Sequence, residues 1–132
     1  MPEYTSDWEG WQLLAGRAAA GLLLIGDDLL CTNPERIEHA LRRGCANALL
    51  LKPNQIGTVS EAAAACRLAR AGRWHVVASA RSGETEDDWL ADLAVGWGAE
   101  HIKIGSITQS ERLAKYNRLL EIEGAFPHLS LA

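Results

Sequence analysis

Four short apolar runs punctuate the chain, at Leu22–Ile25, Ala48–Leu51, His75–Ala78 and His101–Ile104. Each is too short for a helix and reads as a buried strand. Between them the apolar spacing changes to three and four, the period of a helix. Asn33 followed by Pro34 predicts an N-cap with proline in the first helical position, leading into Ile37, Ala40 and Leu41, and Gly44 ends that helix. Thr58 and Glu61 spell a capping box, with Ala62, Cys66 and Ala69 on one face and Gly72 as the stop. A third helix places Trp89, Leu93 and Trp97 on one stripe before Gly98. Thr108 with Glu111 predicts a second capping box, ahead of Leu113, Tyr116 and Leu120. An opening helix is expected from about Asp7, with Trp8 and Trp11 one turn apart.

The positions at the strand ends, Asp27, Lys52, Ala80 and Lys103, are separated by 25, 28 and 23 residues. That is the cadence of βα units, and strands joined by helical crossovers of this length run parallel with right-handed connections. The fold class is therefore α/β, either an open doubly wound sheet or part of a (β/α)8 barrel. No G-x-G-x-x-G follows the first strand, which removes the dinucleotide-binding version of the open sheet. Polar residues at the C-terminal ends of several strands occupy what is the catalytic face of a barrel. Four such units with a leading helix make about half of a TIM barrel.

Composition narrows the picture further. A chain of 132 residues that is 48% hydrophobic is large enough for one domain with a core of its own, so a single domain over 1–132 is expected. The longest apolar stretch, around Leu22 to Ile25, stops at Asp27-Asp28, far short of the roughly 18 residues of a membrane span. Met1-Pro2-Glu3-Tyr4 lacks the character of a signal peptide, so the expected location is cytoplasmic. A net charge of -4 argues against a nucleic-acid footprint. Cys31, Cys45 and Cys66 form no C-x-x-C pair and are expected as free thiols, Cys45 and Cys66 packed as small apolar residues. The scattered histidines, His39, His75, His101 and His128, lack zinc-ligand spacing.

Candidate chemistry concentrates in Ser79-Ala80-Arg81-Ser82-Gly83-Glu84-Thr85-Glu86-Asp87, an apolar strand opening through a glycine turn into a helix. A guanidinium, a hydroxyl, a turn and the positive end of a helix beginning near Thr85 together would bind an anion such as phosphate. Taken alone, the other polar positions have plainer readings. Lys52 and Lys103 are solvated rim residues, Asp27 or Asp28 structures a βα loop, and Glu84, Glu86, Asp87 and Asp88 are first-turn charges on a helix dipole. His101 reads as an interior polar residue.

Four motifs in order change that assessment. Gly26-Asp27-Asp28 with Thr32-Asn33-Pro34, Leu51-Lys52-Pro53-Asn54-Gln55-Ile56-Gly57, Arg81-Ser82-Gly83-Glu84-Thr85-Glu86-Asp87, and Ser110-Glu111-Arg112-Leu113-Ala114-Lys115-Tyr116-Asn117 together make the chain resemble the enolase family, the phosphopyruvate hydratases of glycolysis. The resemblance covers Asp7 to about Glu123 and implies the later part of the catalytic barrel domain. It implies a magnesium-dependent carbon–oxygen lyase that converts 2-phosphoglycerate to phosphoenolpyruvate and water. By position it implies Asp27 as a magnesium carboxylate, Lys52 as the base for the C2 proton, Arg81 and Ser82 as phosphate ligands, and Lys103 beside the substrate carboxylate.

Two departures shape the expectation for this stretch of chain. Enolases carry a histidine between the residues matching Ser79 and Arg81, where this sequence has Ala80. The N-terminal enolase domain, two further metal carboxylates and the general acid belong to segments that this sequence does not contain. The expected behaviour is therefore an inactive chain, or one that needs a complementing enolase half, with magnesium held weakly by a lone carboxylate. The alternative is a half-barrel that binds phosphate or phosphoglycerate, or forms oligomers, without turnover. Open sheet edges predict association, most simply a two-fold homo-oligomer.

Overall fold

The computed structural model describes residues 6–129. In chain order its elements are α1 (Trp8–Arg17), β1 (Ile25–Gly26), α2 (Pro34–Arg43), β2 (Ala48–Leu51), α3 (Pro53–Ile56), α4 (Val59–Ala71), β3 (His75–Ser79), α5 (Trp89–Gly96), β4 (His101–Lys103) and α6 (Ser110–Ala125). The chain forms two compact units, Met1–Val76 and Val77–Ala132, divided within β3. No helix among the described residues is long and apolar enough to cross a membrane.

In the first unit β1 pairs parallel with β2, Ile25 opposite Ala48 and Gly26 opposite Leu49. All four residues of β2 are buried, as a strand covered on both faces requires. Asn33 caps α2, its side chain accepting from the amides of Glu35 and Arg36, and Pro34 occupies the first turn. Thr58 caps α4, accepting from the Glu61 amide at 3.2 Å while its hydroxyl donates to the Glu61 carboxylate at 2.6 Å. That helix buries Ala62, Ala65, Cys66 and Ala69 against β2 and α2. Gly72 follows it with φ -80, so its role is space rather than left-handed freedom. A Cβ there would run into the Leu41 side chain, and Arg73 takes the positive φ of 60 instead.

The first strand is shorter than its apolar run. The Asn47 side chain is the reason: its amide oxygen accepts from Leu24 N at 2.6 Å and its amide nitrogen donates to Leu22 O at 2.8 Å. A side chain thereby takes backbone groups that a longer ladder would use, and Leu22 stays 52% exposed. The short helix α3, with no counterpart in the apolar periodicity, follows from Pro53 preset for a first helical turn after Lys52. Cys45 and Cys66 are buried free thiols, and burial pushes the Cys45 thiol up from its ordinary pKa.

In the second unit β3 pairs parallel with β4, Val77 opposite His101 and Ser79 opposite Lys103. The buried face of α5 is Leu90, Ala91 and Ala94 rather than the tryptophan stripe, and Trp89 remains 39% exposed. The small residues let the helix lie close over Ala78 and Ala80, with Leu90 and Ala94 in one apolar cluster. The second capping box is not formed. Gln109 precedes α6 without a side-chain cap, because the Thr108 hydroxyl is engaged locally, 2.7 Å from the Ser106 hydroxyl, which also accepts from Thr108 N at 3.2 Å. Leu113 and Leu120 are exposed, and α6 buries Lys115 and Ile122 in place of that stripe. His101 is exposed at the start of β4, not interior.

Candidate active site

Parallel strands place their C-terminal ends together, so residues that directly follow paired strands become neighbours. Asp27 follows β1 and Lys52 follows β2, and the Lys52 ammonium donates to Asp27 Oδ1 in an ion pair. Lys52 is buried, with 11% of its side chain exposed, against 42% for Asp27. The main chain at Lys52 is held on both sides. Its N–H donates to Thr32 Oγ1 at 2.9 Å, and its carbonyl accepts from Gln55 N at 2.9 Å. Thr32 is fully buried, and its oxygen also lies 3.3 Å from Leu50 O and from Gln55 Oε1.

The loop that delivers Thr32 is backbone-strained. Cys31 and Thr32 both have positive φ, 48 and 55, a region β-branched residues rarely enter. Asp27 O accepts from both Leu30 N and Cys31 N, which coils the loop after β1. Gly26 is required beneath it, since a Cβ there would collide with the buried Leu30 side chain. Sequence reasoning named Asp27 and Lys52 but not Thr32. Its signal was present in the Thr32-Asn33-Pro34 motif, where the threonine precedes a residue that already caps the helix.

Arg81, Ser82 and Lys103 belong to the second unit. Ala80 N donates to Lys103 O at 2.9 Å, which continues the β3–β4 pairing by one residue and fixes where Arg81 leaves the sheet. Ala80, at the position of the missing histidine, is buried in the apolar cluster beneath α5. Ser82 and Gly83 form the turn, Gly83 with φ 73, and Arg81 and Ser82 are both exposed. Lys103 ends β4 and is exposed too.

The helix expected near Thr85 starts instead at Trp89, so its dipole does not open onto the turn. A carboxylate meets the turn's amide: Arg81 N donates to Glu84 Oε1 at 2.7 Å. Glu84 and Asp87 are likewise not first-turn charges. They surround Lys115, whose ammonium lies 3.2 Å from Glu84 Oε2 and 3.8 Å from Asp87 Oδ1, and donates to Thr85 O at 2.8 Å and Asp87 O at 2.6 Å. Lys115 is completely buried. Sequence reasoning missed it as a structural centre, since a lysine on the buried face of a helix leaves no trace in apolar periodicity.

A magnesium ion prefers six oxygens, with one or two carboxylates among them. Among the described residues no three His, Cys, Asp or Glu side chains are grouped to hold a metal ion. Asp27 offers one carboxylate, already bonded to Lys52, so these residues alone do not make a magnesium site.

Comparison with known proteins agrees with this geometry. The chain is 48% identical over 118 residues to the enolase of Malacoplasma penetrans (strain HF-2), an alignment that takes in 89% of this chain and 26% of that protein. The chain thus spans about a quarter of the length of that relative. The family model for the enolase C-terminal TIM barrel domain matches residues 2–130. The parallel βα units seen here are accordingly part of an α/β barrel, and the chain belongs to the enolase family.

Proposed function

We propose that this stretch supplies one part of an enolase active site, with Lys52 as the base for the C2 proton of 2-phosphoglycerate. Arg81 and Ser82 hold the phosphate, Lys103 lies by the substrate carboxylate, and Asp27 contributes one metal carboxylate. The observation that carries this reading is the buried Lys52, its main chain bonded on both sides and its amine held on Asp27. A rim lysine needs none of these constraints, whereas a base must meet one hydrogen at one position.

In the elimination, Lys52 acts once its ammonium has given a proton to solvent and let go of Asp27: Nζ then takes the proton from C2, and the C–H electron pair stays on C2 beside the carboxylate. Expulsion of the C3 hydroxide turns that pair into the C2–C3 double bond of phosphoenolpyruvate. Arg81 and Ser82 anchor the phosphate through charge-assisted hydrogen bonds, fixing the distance from C2 to Lys52. Magnesium, when bound, supplies positive charge against the carboxylate. Among the described residues no three metal-ligating side chains are grouped, and in this reading the proton for the departing hydroxide comes from the rest of an enolase. Loss of one general acid or base costs a factor of about 100 to 10,000, so the isolated chain binds phosphate but does not turn over.

The test is complementation. The purified chain with magnesium should give no absorbance growth from 2-phosphoglycerate, and adding the remaining portion of an enolase should restore it, unless Lys52 is changed to Ala. Turnover by the isolated chain, or an assembled complex that stays inactive, would overturn the proposal. Exposed apolar side chains, Leu13, Leu14 and Leu22 in the first unit and Ile107 and Leu120 in the second, support association with such a portion or with a second copy. Light scattering at about 10 µM distinguishes a monomer from a complex, since apolar association is set by concentration.

A further inference from the structure

We propose that Lys115, with Arg112, is a positioning residue for the anion-binding turn: α6 sets where Arg81 stands by gripping its main chain from both sides. The inference rests on the reading of Arg81 and Ser82 as phosphate ligands and adds what holds them in place.

Arg112, Lys115 and Tyr116 are three and four residues apart and share one face of α6. That face meets loop main chain rather than an apolar core. Arg112 Nη2 donates to Arg81 O at 2.7 Å while its Nη1 donates to Ile104 O at 2.9 Å, so one guanidinium spans the ends of β3 and β4. Tyr116 donates to Gly105 O at 2.9 Å. On the other side of Arg81, its N–H is taken by Glu84, whose second oxygen faces Lys115. Arg81 is therefore held through its carbonyl by Arg112 directly, and through its amide by Lys115 acting through Glu84.

An ammonium has three hydrogens. Thr85 O, Asp87 O and Glu84 Oε2 account for all three, which explains why Asp87 Oδ1 is buried without a hydrogen-bond partner at 3.8 Å from the same nitrogen. A fully buried charge is costly unless every donor is satisfied. Here every partner of the charge lies in residues 84–87, the segment that follows the turn, so removing it should loosen the turn before it loosens the sheet. The Asp87 carboxylate also accepts from the Thr85 hydroxyl, which keeps the segment folded back on itself.

The experiment uses the whole chain in three variants, Lys115→Met, Glu84→Gln and Arg112→Lys, with two measurements on each. Amide exchange should accelerate at Arg81, by about tenfold where a charge-assisted bond is lost and by a smaller factor in Glu84→Gln, whose amide oxygen can still accept from Arg81 N, while Val77 and Ala78 in β3 keep their protection. Inorganic phosphate titrated onto the chain should bind about tenfold more weakly to each variant, with saturation shifts still at Ser82 and Gly83. Arg112→Lys should not rescue, because one ammonium cannot span two carbonyls as a planar fork does. If Lys115→Met unfolds β3 as well, the milder Glu84→Gln decides. Unchanged Arg81 exchange and unchanged phosphate affinity in Glu84→Gln and Arg112→Lys would overturn the inference. A parent chain that binds no phosphate while the variants still release the Arg81 amide would instead sink the phosphate reading and leave the positioning role standing.

Discussion

Replacing Thr32 isolates the contact that seats Lys52. Thr32→Val exchanges a hydroxyl for a methyl at nearly constant volume, and both residues are β-branched, so the strain of the positive φ cancels in the comparison. What changes is the acceptor: the Lys52 N–H, 2.9 Å from Thr32 Oγ1, is left buried and unpaired. That costs about 1–3 kcal/mol, equivalent to roughly 5- to 150-fold faster opening. Thr32→Ser keeps the hydroxyl and deletes one methyl, worth about 0.8 kcal/mol, or about fourfold. Serine also tolerates the left-handed region better, which offsets part of that loss. Hydrogen exchange at Lys52 and along Ala48–Leu51 reads the difference within the first unit, where a single global unfolding free energy would mix two units. Valine should be clearly worse than serine at Lys52. Equal effects, or a worse serine, would refute the idea that the hydroxyl rather than the packing of Thr32 holds the base.

Gly26→Ala should destabilise the first unit by about 1–3 kcal/mol through overpacking on Leu30, and Leu30→Ala by about 2–5 kcal/mol alone. A double-mutant cycle by exchange at Leu49 should give a double variant milder than the sum, and strict additivity would reject the clash. In the second unit, the hydrogen bonds from Arg118 hold the Asp92 carboxyl below the usual carboxylate range. A depressed folded pKa contributes stability that is full above the unfolded value of about 4 and is lost as pH falls through the folded value. With 42% of the Asp92 side chain exposed, solvent screens the pair and its contribution is small, so the deficit of Asp92→Asn in α5 exchange should be present at pH 7 and shrink below about pH 4. A deficit that does not change with pH would show that charge is not its source. A thiol-labelling reagent at neutral pH should modify the half-buried Cys31 before Cys45 and Cys66, and the order should vanish in denaturant; equal native rates would contradict their burial.

Much of this architecture was legible because its signals are local. Asn33-Pro34 and Thr58 with Glu61 cap their own helices through bonds spanning two or three residues, and the ranges of β2 and β3 follow from apolar runs bounded by polar punctuation. The misreadings share a different cause. The apolar run at β1 is longer than its ladder because a competitor for the ladder's groups, the Asn47 side chain, lies 23 and 25 residues from those it takes. Thr108 and Glu111 satisfy a capping pattern, but Ser106 engages Thr108 first. The apolar spacing of α6 points to a leucine stripe, whereas the buried face is built on Lys115, whose partners Glu84, Thr85 and Asp87 come from a segment 28 to 31 residues earlier. Periodicity detects apolar burial, and a charge that is buried because it is fully bonded has no such signature.

The site residues were recognisable for a related reason. A parallel βα pair is the least structure that brings two side chains from distant sequence positions to one edge, since both strands end there and the crossover only has to return the chain. Asp27 and Lys52 meet in that way after β1 and β2, and Ala80 bonds to Lys103 after β3 and β4. A residue that directly follows a strand is thereby placed by sheet register alone, and reading the strand suffices to find it. What register cannot supply is the fixed orientation that chemistry needs, and at each edge the chain adds it from off the sheet. For Lys52 the addition is Thr32 in a strained loop; for Arg81 it is Glu84, Arg112 and, through Glu84, Lys115. These supporting groups act on main chain, so their identities follow from three-dimensional reach rather than from any spacing between the groups they support.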